Sequence, residues 1–468
     1  MAESRERTTT RLQVSAHRFL TRRMQHALVR GDVRMLDDPL RAQSLSLTAG
    51  AVLAVIAIAG CAVLAFLRPQ GAIDGATIVT VRESGALYVR IGDTIHPVPN
   101  LASARLVAGA ADDPTVVSEQ AVASARRGPM VGIAGAPTSI GTALPAAESI
   151  WDVCDSADRT IVRVGSPADA APFGSADAVL VAPVAESAAT TYLLHAGRRA
   201  QVDLRDRAVA RALRLDGRTP RPVSRTLLDT IPEDPPIVAP TIPGAGSAGP
   251  APLGGYPVGT VVRLARAEAA EHYVVLTDGV QRIGEVTADL IRLTVTQPHR
   301  DIPTVAATAL AAAPSVETLP VATFPARVTV VDPPVLCARW HDGGAPSPAG
   351  TTLWRAEAVP SGPGLVALAQ ADGAGPGLDA VEVPAGRSLF VRAVGVGGSG
   401  GSAGPLYLVD DLGVVFGVRD VQTAQHLGLP ANATPAPWPV LARLPRGPEL
   451  SRDRASVLHD AVAGPGPG

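Results

Sequence analysis

The sequence predicts a single transmembrane helix followed by a β-rich (α+β) exported domain, in which four small hairpin–helix repeats flank a discontinuous central β domain. Three observations carry this expectation. The 26 residues between Arg41 and Arg68 hold no charge. Nine arginines precede that stretch, whereas only Arg68 follows it closely. Further along, four segments share one pattern: an apolar–Tyr–apolar strand, a Gly turn, a second short strand and a helical tail.

Residues 1–41 read as a cytoplasmic amphipathic segment. A helix is expected over Thr8–Leu36 with Thr10 as its N-cap, because Ala16, Leu20, Met24, Ala27 and Leu28 repeat at helical spacing and form one apolar stripe. Arg18 and Arg22 share another face, with Arg23 and Arg30 near them. Two roles fit this pattern: a basic helix resting on anionic lipid headgroups, or a docking helix that meets a cytoplasmic partner through Arg18, Phe19, Leu20, Arg22, Arg23, Met24 and Leu28. Asp38 as N-cap and Pro39 at the first helical position restart a helix, and Pro69 ends it.

Residues 42–67 form the expected span. About 20 apolar residues cross the ~30 Å hydrocarbon core, so Leu45–Leu67 is long enough. The alternatives are a buried core helix and a cleaved signal with Ala57, Ala59 and Ala62 as small-residue site. The apolar run continues past those alanines, which favours an uncleaved anchor. The arginine bias keeps the N-terminus in the cytoplasm and sends the larger C-terminal region outside.

The exported region divides into repeat 1 (68–112), a first central-domain segment (113–186), repeat 2 (187–230), a Pro/Gly linker (231–257), repeat 3 (258–310), a second central-domain segment (311–402), repeat 4 (403–430) and a Pro-rich C-terminal tail (431–468). The repeats are defined by Tyr88, Tyr192, Tyr273 and Tyr407, followed by Gly92, Gly197, Gly279 and Gly413, which are expected to supply the positive φ of a tight turn. Tails such as DRAVARAL and TADLIRL then cap each hairpin. A unit of this size cannot bury its own apolar face and must pack on something else. Of the three cysteines, Cys61 lies in the span; Cys154 and Cys337 fall on the exported side, where disulfides persist. Their pairing would bring the two central segments together; two free thiols or an intermolecular link are the alternatives.

The chemistry read from the residues is sparse. All 41 basic residues are arginine and the net charge is −2, which gives no nucleic-acid signature. A phosphate-binding loop of the Walker type needs a lysine, and none exists here. Gly395–Pro405 reads as a glycine-rich loop, and Asp410 and Asp411 as neighbours on a strand that point to opposite faces. His17, His26, His195 and His272 show no metal-ligand spacing and read as surface or interface residues. No catalytic, cofactor-binding or metal residue is expected, and the chain is expected not to be an enzyme.

The segments QVSAHRFLTRRMQHALVRGDVRMLDDPLRAQ (Gln13–Gln43), LRPQG (Leu67–Gly71) and SGALYVRIGDTIHPVPNLASARL (Ser84–Leu106), together with WPVLARLPRGPELSRDRA (Trp438–Ala455), resemble EccB, a membrane component of the actinobacterial type VII (ESX) secretion system. Cys154 and Cys337 match that family's exported cysteine pair. The resemblance implies a single-pass subunit of an inner-membrane secretion complex. Its implied partners are EccC (an FtsK/SpoIIIE-type ATPase), EccD, EccE, the mycosin protease and other EccB copies, besides membrane lipid. It favours docking over lipid contact for the N-terminal helix. Some members are described as ATPases, a weaker reading here. An exported cell-wall-binding membrane protein is the rival.

Overall fold

The computed structural model describes residues 10–31, 39–67, 73, 75–165, 170–184, 190–253, 255–266, 270–342, 350–359, 364–397 and 403–460. The chain forms two compact units, residues 1–72 and 73–468.

Among its described residues the first unit holds two helices. Arg11–Arg30 begins at Thr10, whose extended backbone (φ −77°, ψ 155°) lets its N–H donate to the side-chain Oε1 of Gln13 at 3.0 Å, one half of a capping box. The described helix ends at Gly31, which takes the left-handed conformation (φ 66°) with its N–H closing on the Ala27 carbonyl; residues 8–9 and 32–36 of the expected helix lie outside the described residues. A residue without Cβ adopts that geometry at no steric cost and stops the helix. The second helix, Pro39–Leu67, starts on the expected proline; Asp38 and Pro69 lie outside the described residues. Its segment Gln43–Val63 is long and apolar enough to cross a membrane, and none of it is buried within the chain. That exposure sets aside the buried-core-helix alternative.

The second unit is built around a seven-stranded sheet. Its order is Ala171–Pro172, Gly350–Ala356, Val335–His341, Ile150–Asp155, Thr160–Val164, Ala380–Glu382 and Leu365–Ala367. The middle pair, Ile150–Asp155 and Val335–His341, comes from segments far apart in sequence and runs antiparallel, with Trp151 opposite Trp340 and Cys154 opposite Cys337. The two sulfurs are bonded. Strand alternation sorts the side chains. Trp151, Val153, Ala338 and Trp340 enter the main core. Cys154 and Cys337 lie in a separate cluster on the opposite face. In the chain-entropy model, closing a loop of 183 residues contributes about 5 kcal/mol.

Four hairpin modules surround this sheet, and each is larger than the hairpin and tail read from the sequence. In module 1, Ile78–Val81, Leu87–Ile91 and Thr94–Val98 form an antiparallel triplet. The helix Leu101–Ala108 follows. Thr115–Val117 then returns parallel to the first strand, and after a short helix, Glu119–Ser124, Arg126–Arg127 lies parallel to the third.

Module 2 repeats that course with Asp177–Pro183, Thr191–His195, Arg198–Val202, helix Arg207–Ala212, parallel Arg221–Val223, helix Arg225–Thr230 and parallel Glu233–Asp234. Module 3 uses Val261–Leu264, Glu271–Val275, Val280–Ile283 and helix Glu285–Thr294. Single bridges Arg263–Thr304 and Val280–Ser315 flank helix Ala307–Ala312. Module 4 uses Arg387–Val394, Leu406–Val409, Val415–Val418, helix Val421–Leu427, parallel Thr434–Pro437 and helix Trp438–Leu441, with bridges from Val415 to Arg446 and Val418 to Leu450.

Several boundaries therefore move. Residues 115–127 and 177–183, assigned to the central domain from sequence, belong to modules 1 and 2. Arg387–Val394, also assigned there, is the first strand of module 4. The Pro/Gly segment 231–257 is more than a linker, since Glu233–Asp234 pairs with module 2 and Ile237 and Ile242 are buried. The C-terminal tail supplies Thr434–Pro437 to module 4.

The turn glycines also differ from expectation. Gly92, Gly197 and Gly413 have positive φ (59°, 74° and 78°), and Ala196 (φ 47°) joins Gly197 in a two-residue turn of the primed kind that suits hairpin twist. Gly279 is not left-handed. It is required for space, because a Cβ there would stand 2.2 Å from the Pro314 carbonyl oxygen.

Candidate functional site

Phe19, Leu20, Met24 and Leu28 on the N-terminal helix are all exposed, as are Arg18, Arg22 and Arg23. Leu20, Met24 and Leu28 stand one turn apart on one stripe, and no described residue of their own unit covers it.

In the β-rich body the four tyrosines are all half-buried and each follows or precedes a buried strand neighbour (Val89, Leu193, Val274, Leu408). Their surroundings differ. Tyr192 and Tyr407 pack against the core that fills the central sheet. The Arg199 guanidinium lies over Tyr192 at 5.5 Å, and Tyr407 stacks on Trp438 with centroids 6.0 Å apart. Tyr88 packs instead on a local cluster with Val79, Ile95 and Val122. Tyr273 does the same with Val262, Val280 and Leu310, and its hydroxyl donates to Glu271 at 3.1 Å. The modules also pair. Leu106 and Ala104 of module 1 share a core with Leu408, Phe416 and Leu427 of module 4. Leu193 and Val209 of module 2 share one with Val286 and Leu290 of module 3.

Two of the clusters of titratable groups among the described residues lie on the central strands and on module 3. Asp152 and Arg339, opposite each other on the two central strands, form a paired 2.7 and 2.9 Å contact on the disulfide face, with Arg339 over the Trp354 ring at 4.0 Å. Beside them, burial pushes the Asp155 carboxyl up, against hydrogen bonds from Ser224 and Thr160 that favour its charged form. The second cluster surrounds Glu271 and Glu285 on module 3. Arg266 and Arg282 approach Glu271 at 2.8 and 3.1 Å; Arg214 and Arg327 approach Glu285 at 2.8 and 3.0 Å. The hydrogen bond from Arg266 holds the Glu271 carboxyl below its ordinary range. Burial holds His272 low.

The histidines are not uniformly at the surface: His17 is exposed, His26 and His195 are buried, and His272 is half-buried. Burial pushes His195 down, and its Nε2 has no hydrogen-bond partner among the described residues. Asp410 and Asp411 are turn residues, not strand neighbours. Asp410 accepts from the Leu412 and Val414 N–H groups and Asp411 from Gly386 N–H. No group of three metal-ligating side chains occurs among the described residues. Sequence reading missed the four-arginine cluster. Its members are scattered from residue 214 to 327, and only the module 2–module 3 contact assembles them.

Among the described residues, one helix long and apolar enough to cross a membrane and a disulfide-bridged, β-rich body of hairpin modules define the class of protein: a membrane-helix candidate joined to a large β domain. The chain belongs to the EccB family of type VII secretion: the family model described as "Type VII secretion system ESX-1, transport TM domain B" matches residues 6–464. It is 37% identical over 475 residues to "ESX-3 secretion system ATPase EccB3" of Mycolicibacterium smegmatis, covering 97% of this chain and 91% of the relative. Its fold is similar to a chain in "Structure of an intact ESX-5 inner membrane complex", with TM-score 0.72, 31% identity, and 99% and 98% of the two chains covered. It is also similar to a chain in "Structure of EccB3 dimer from the ESX-3 core complex", with TM-score 0.70, 34% identity, and 81% and 100% covered.

The relatives correct one expectation. The chain was expected not to be an enzyme, yet its curated relatives are named ATPases. That expectation rested on a missing lysine. Arginines can hold phosphate as well, and through a bidentate fork, so a missing Walker lysine does not decide the question.

Proposed function

We propose that this chain is the EccB subunit of a type VII secretion inner-membrane complex, crossing the membrane once with its N-terminus in the cytoplasm and its β-rich body outside. The observation that carries this reading is the match of 99% of the chain, membrane helix included, to a chain of an ESX-5 inner membrane complex. The relative solved as a dimer supports association of the exported body with further copies. The four modules are copies of one unit, and modules 2 and 4 set the central sheet between them. The N-terminal helix docks EccC and EccD through Arg18, Phe19, Leu20, Arg22, Arg23, Met24 and Leu28, a role supported by its uncovered apolar stripe. EccE and the mycosin protease complete the expected partners.

Detergent extraction of the full chain from its own membrane tests this. A stable complex with the FtsK/SpoIIIE-type ATPase subunit is expected, and Leu20→Asp with Met24→Asp should release that subunit while leaving thermal unfolding of the β-rich body unchanged. Recovery of the chain on envelope polymer with no membrane complex would overturn the reading in favour of a wall-binding protein.

The names of the relatives favour a second reading alongside the first, that the chain turns over nucleotide. ATP hydrolysis by the purified full chain, measured against a folded variant lacking Arg266 and Arg282, decides it. Equal turnover in both would assign the activity to a contaminant or to another surface.

A further inference from the structure

A cleft of about 980 Å³ opens between the hairpin of module 3, the turn at Ser175–Ala176 and the segment Ala326–Arg327. Glu271 and Glu285 each stand between two arginines. Glu271 offers one oxygen to Arg266 Nε and the other to Arg282 Nη2; Glu285 does the same for Arg214 Nη2 and Arg327 Nε. The charges of these six groups sum to 4 − 2 = +2. Asp289 stands beside them, its carboxyl pushed up by desolvation and then by the charge of Glu285.

Three of the arginines line the cleft itself. The side chains of Arg266, Arg282 and Arg327 remain 60%, 68% and 64% exposed. Each guanidinium carries five N–H donors in a planar fork, and each of these ion pairs uses one nitrogen. Both oxygens of Glu271 are occupied, by Arg266 and Arg282, with the Tyr273 hydroxyl a further donor. The carboxylates therefore fix the arginines in place without satisfying them. Small residues, Ala265, Ala270 and Ala176, leave the floor open.

Three forks around one opening suit an anion with at least three acceptor oxygens. A phosphate group meets that condition; a carboxylate, with two oxygens, does not. We propose that this cleft binds a phosphate-bearing anion through Arg266, Arg282 and Arg327, with Glu271 and Glu285 as positioning residues. The site is independent of the scaffold reading above. The same chemistry fits a free polyphosphate and a nucleotide, whose sources the test separates.

Isothermal titration of the full chain in detergent with inorganic pyrophosphate, and separately with ATP, is the test. Saturable binding tighter than roughly 1 mM is expected at moderate salt, weakening as salt rises. Arg266→Gln and Arg327→Gln should each weaken it about tenfold, the loss of one charge-assisted contact. Arg205→Gln, which removes an exposed arginine paired with Asp203 elsewhere on the surface, should leave it unchanged. Equal affinity for the two probes means that the phosphate alone is read; tighter ATP binding means that the base contributes. Absence of saturation with both probes, or equal weakening by all three substitutions, would overturn the proposal. An unchanged thermal midpoint in the Arg266 and Arg327 variants keeps the result from reflecting misfolding.

Discussion

Modules 2 and 4 sit differently from modules 1 and 3, although all four present a tyrosine at the same place on a hairpin. The inner pair turns its tyrosine face onto the central sheet, so Tyr192 and Tyr407 join the main core. The outer pair covers the same face locally, with Val122 in module 1 and Leu310 in module 3. The short helices obey the same division. Leu227 and Leu228 of module 2, and Val440 and Leu441 of module 4, pack into the central core. A hairpin of this size has one apolar face too many for its own helix. The chain solves that in two ways, by docking on the sheet or by carrying a lid. Three residues beyond each tyrosine, the inner modules hold a titratable group, His195 or Asp410. The outer ones hold Ile91 or Leu276. Burial pushes Asp410 up and His195 down, so both are displaced toward the neutral form.

The turn glycines offer the sharpest break of this comparison. A Cβ on Gly197 would stand 1.8 Å from the Thr351 carbonyl oxygen of the central sheet, whereas one on Gly92 meets nothing within 4 Å. Left-handed strain is common to both; only the inner position adds a backbone clash. Gly197→Ala is expected to destabilise by roughly 2–5 kcal/mol and Gly92→Ala by about 1 kcal/mol. Denaturant midpoints measure both, and equal losses would erase the distinction between inner and outer modules.

Truncating the tyrosines should give a smaller split. Half-buried rings lose about half of a fully buried one, so Tyr88→Ala is expected to cost about 1–2 kcal/mol. Tyr407→Ala also loses its stacking on Trp438 and should cost roughly 2–3 kcal/mol. A double-mutant cycle with Trp438→Ala isolates the ring pair, and a coupling indistinguishable from zero would remove the stacking from the account.

The smallest expected effect is acid sensitivity. His195 titrates below its ordinary 6.5 in the fold because it is buried. The unfolded chain therefore takes up the proton first as pH falls. Stability is complete above pH 6.5 and declines below it until the folded group also protonates. His195→Leu should flatten that acid limb. A remainder should persist, because burial lowers His272 in the same sense. An unaltered limb would show that His195 is solvated on the relevant timescale.

Much of the architecture was legible from local patterns. The uncharged run, the helix start at Pro39, each Tyr strand and each helical tail rest on signals within a few residues: periodicity, caps and turn glycines. Asn100, Asp206 and Asp420 cap three of the tails by accepting from N–H groups within three residues. What escaped were the returning strands. Arg126–Arg127 and Glu233–Asp234 are two residues long, and Arg221–Val223 and Thr434–Pro437 contain prolines that demote a run to a sheet edge. Parallel partners of that kind carry little local signal, because the strand they join lies dozens of residues away. Gly279 was misread for the same reason: its constraint comes from Pro314 and not from its own turn.

The sequence by itself determined the apolar helix, the basic segment before it and the four hairpins, since hydrophobic length, charge placement and turn chemistry act over short distances. Only the tertiary structure decided that module 1 pairs with module 4 and module 2 with module 3, that two modules face the sheet while two carry lids, and that four scattered arginines share two carboxylates. Those outcomes depend on which apolar faces meet, and that is a property of the packed chain.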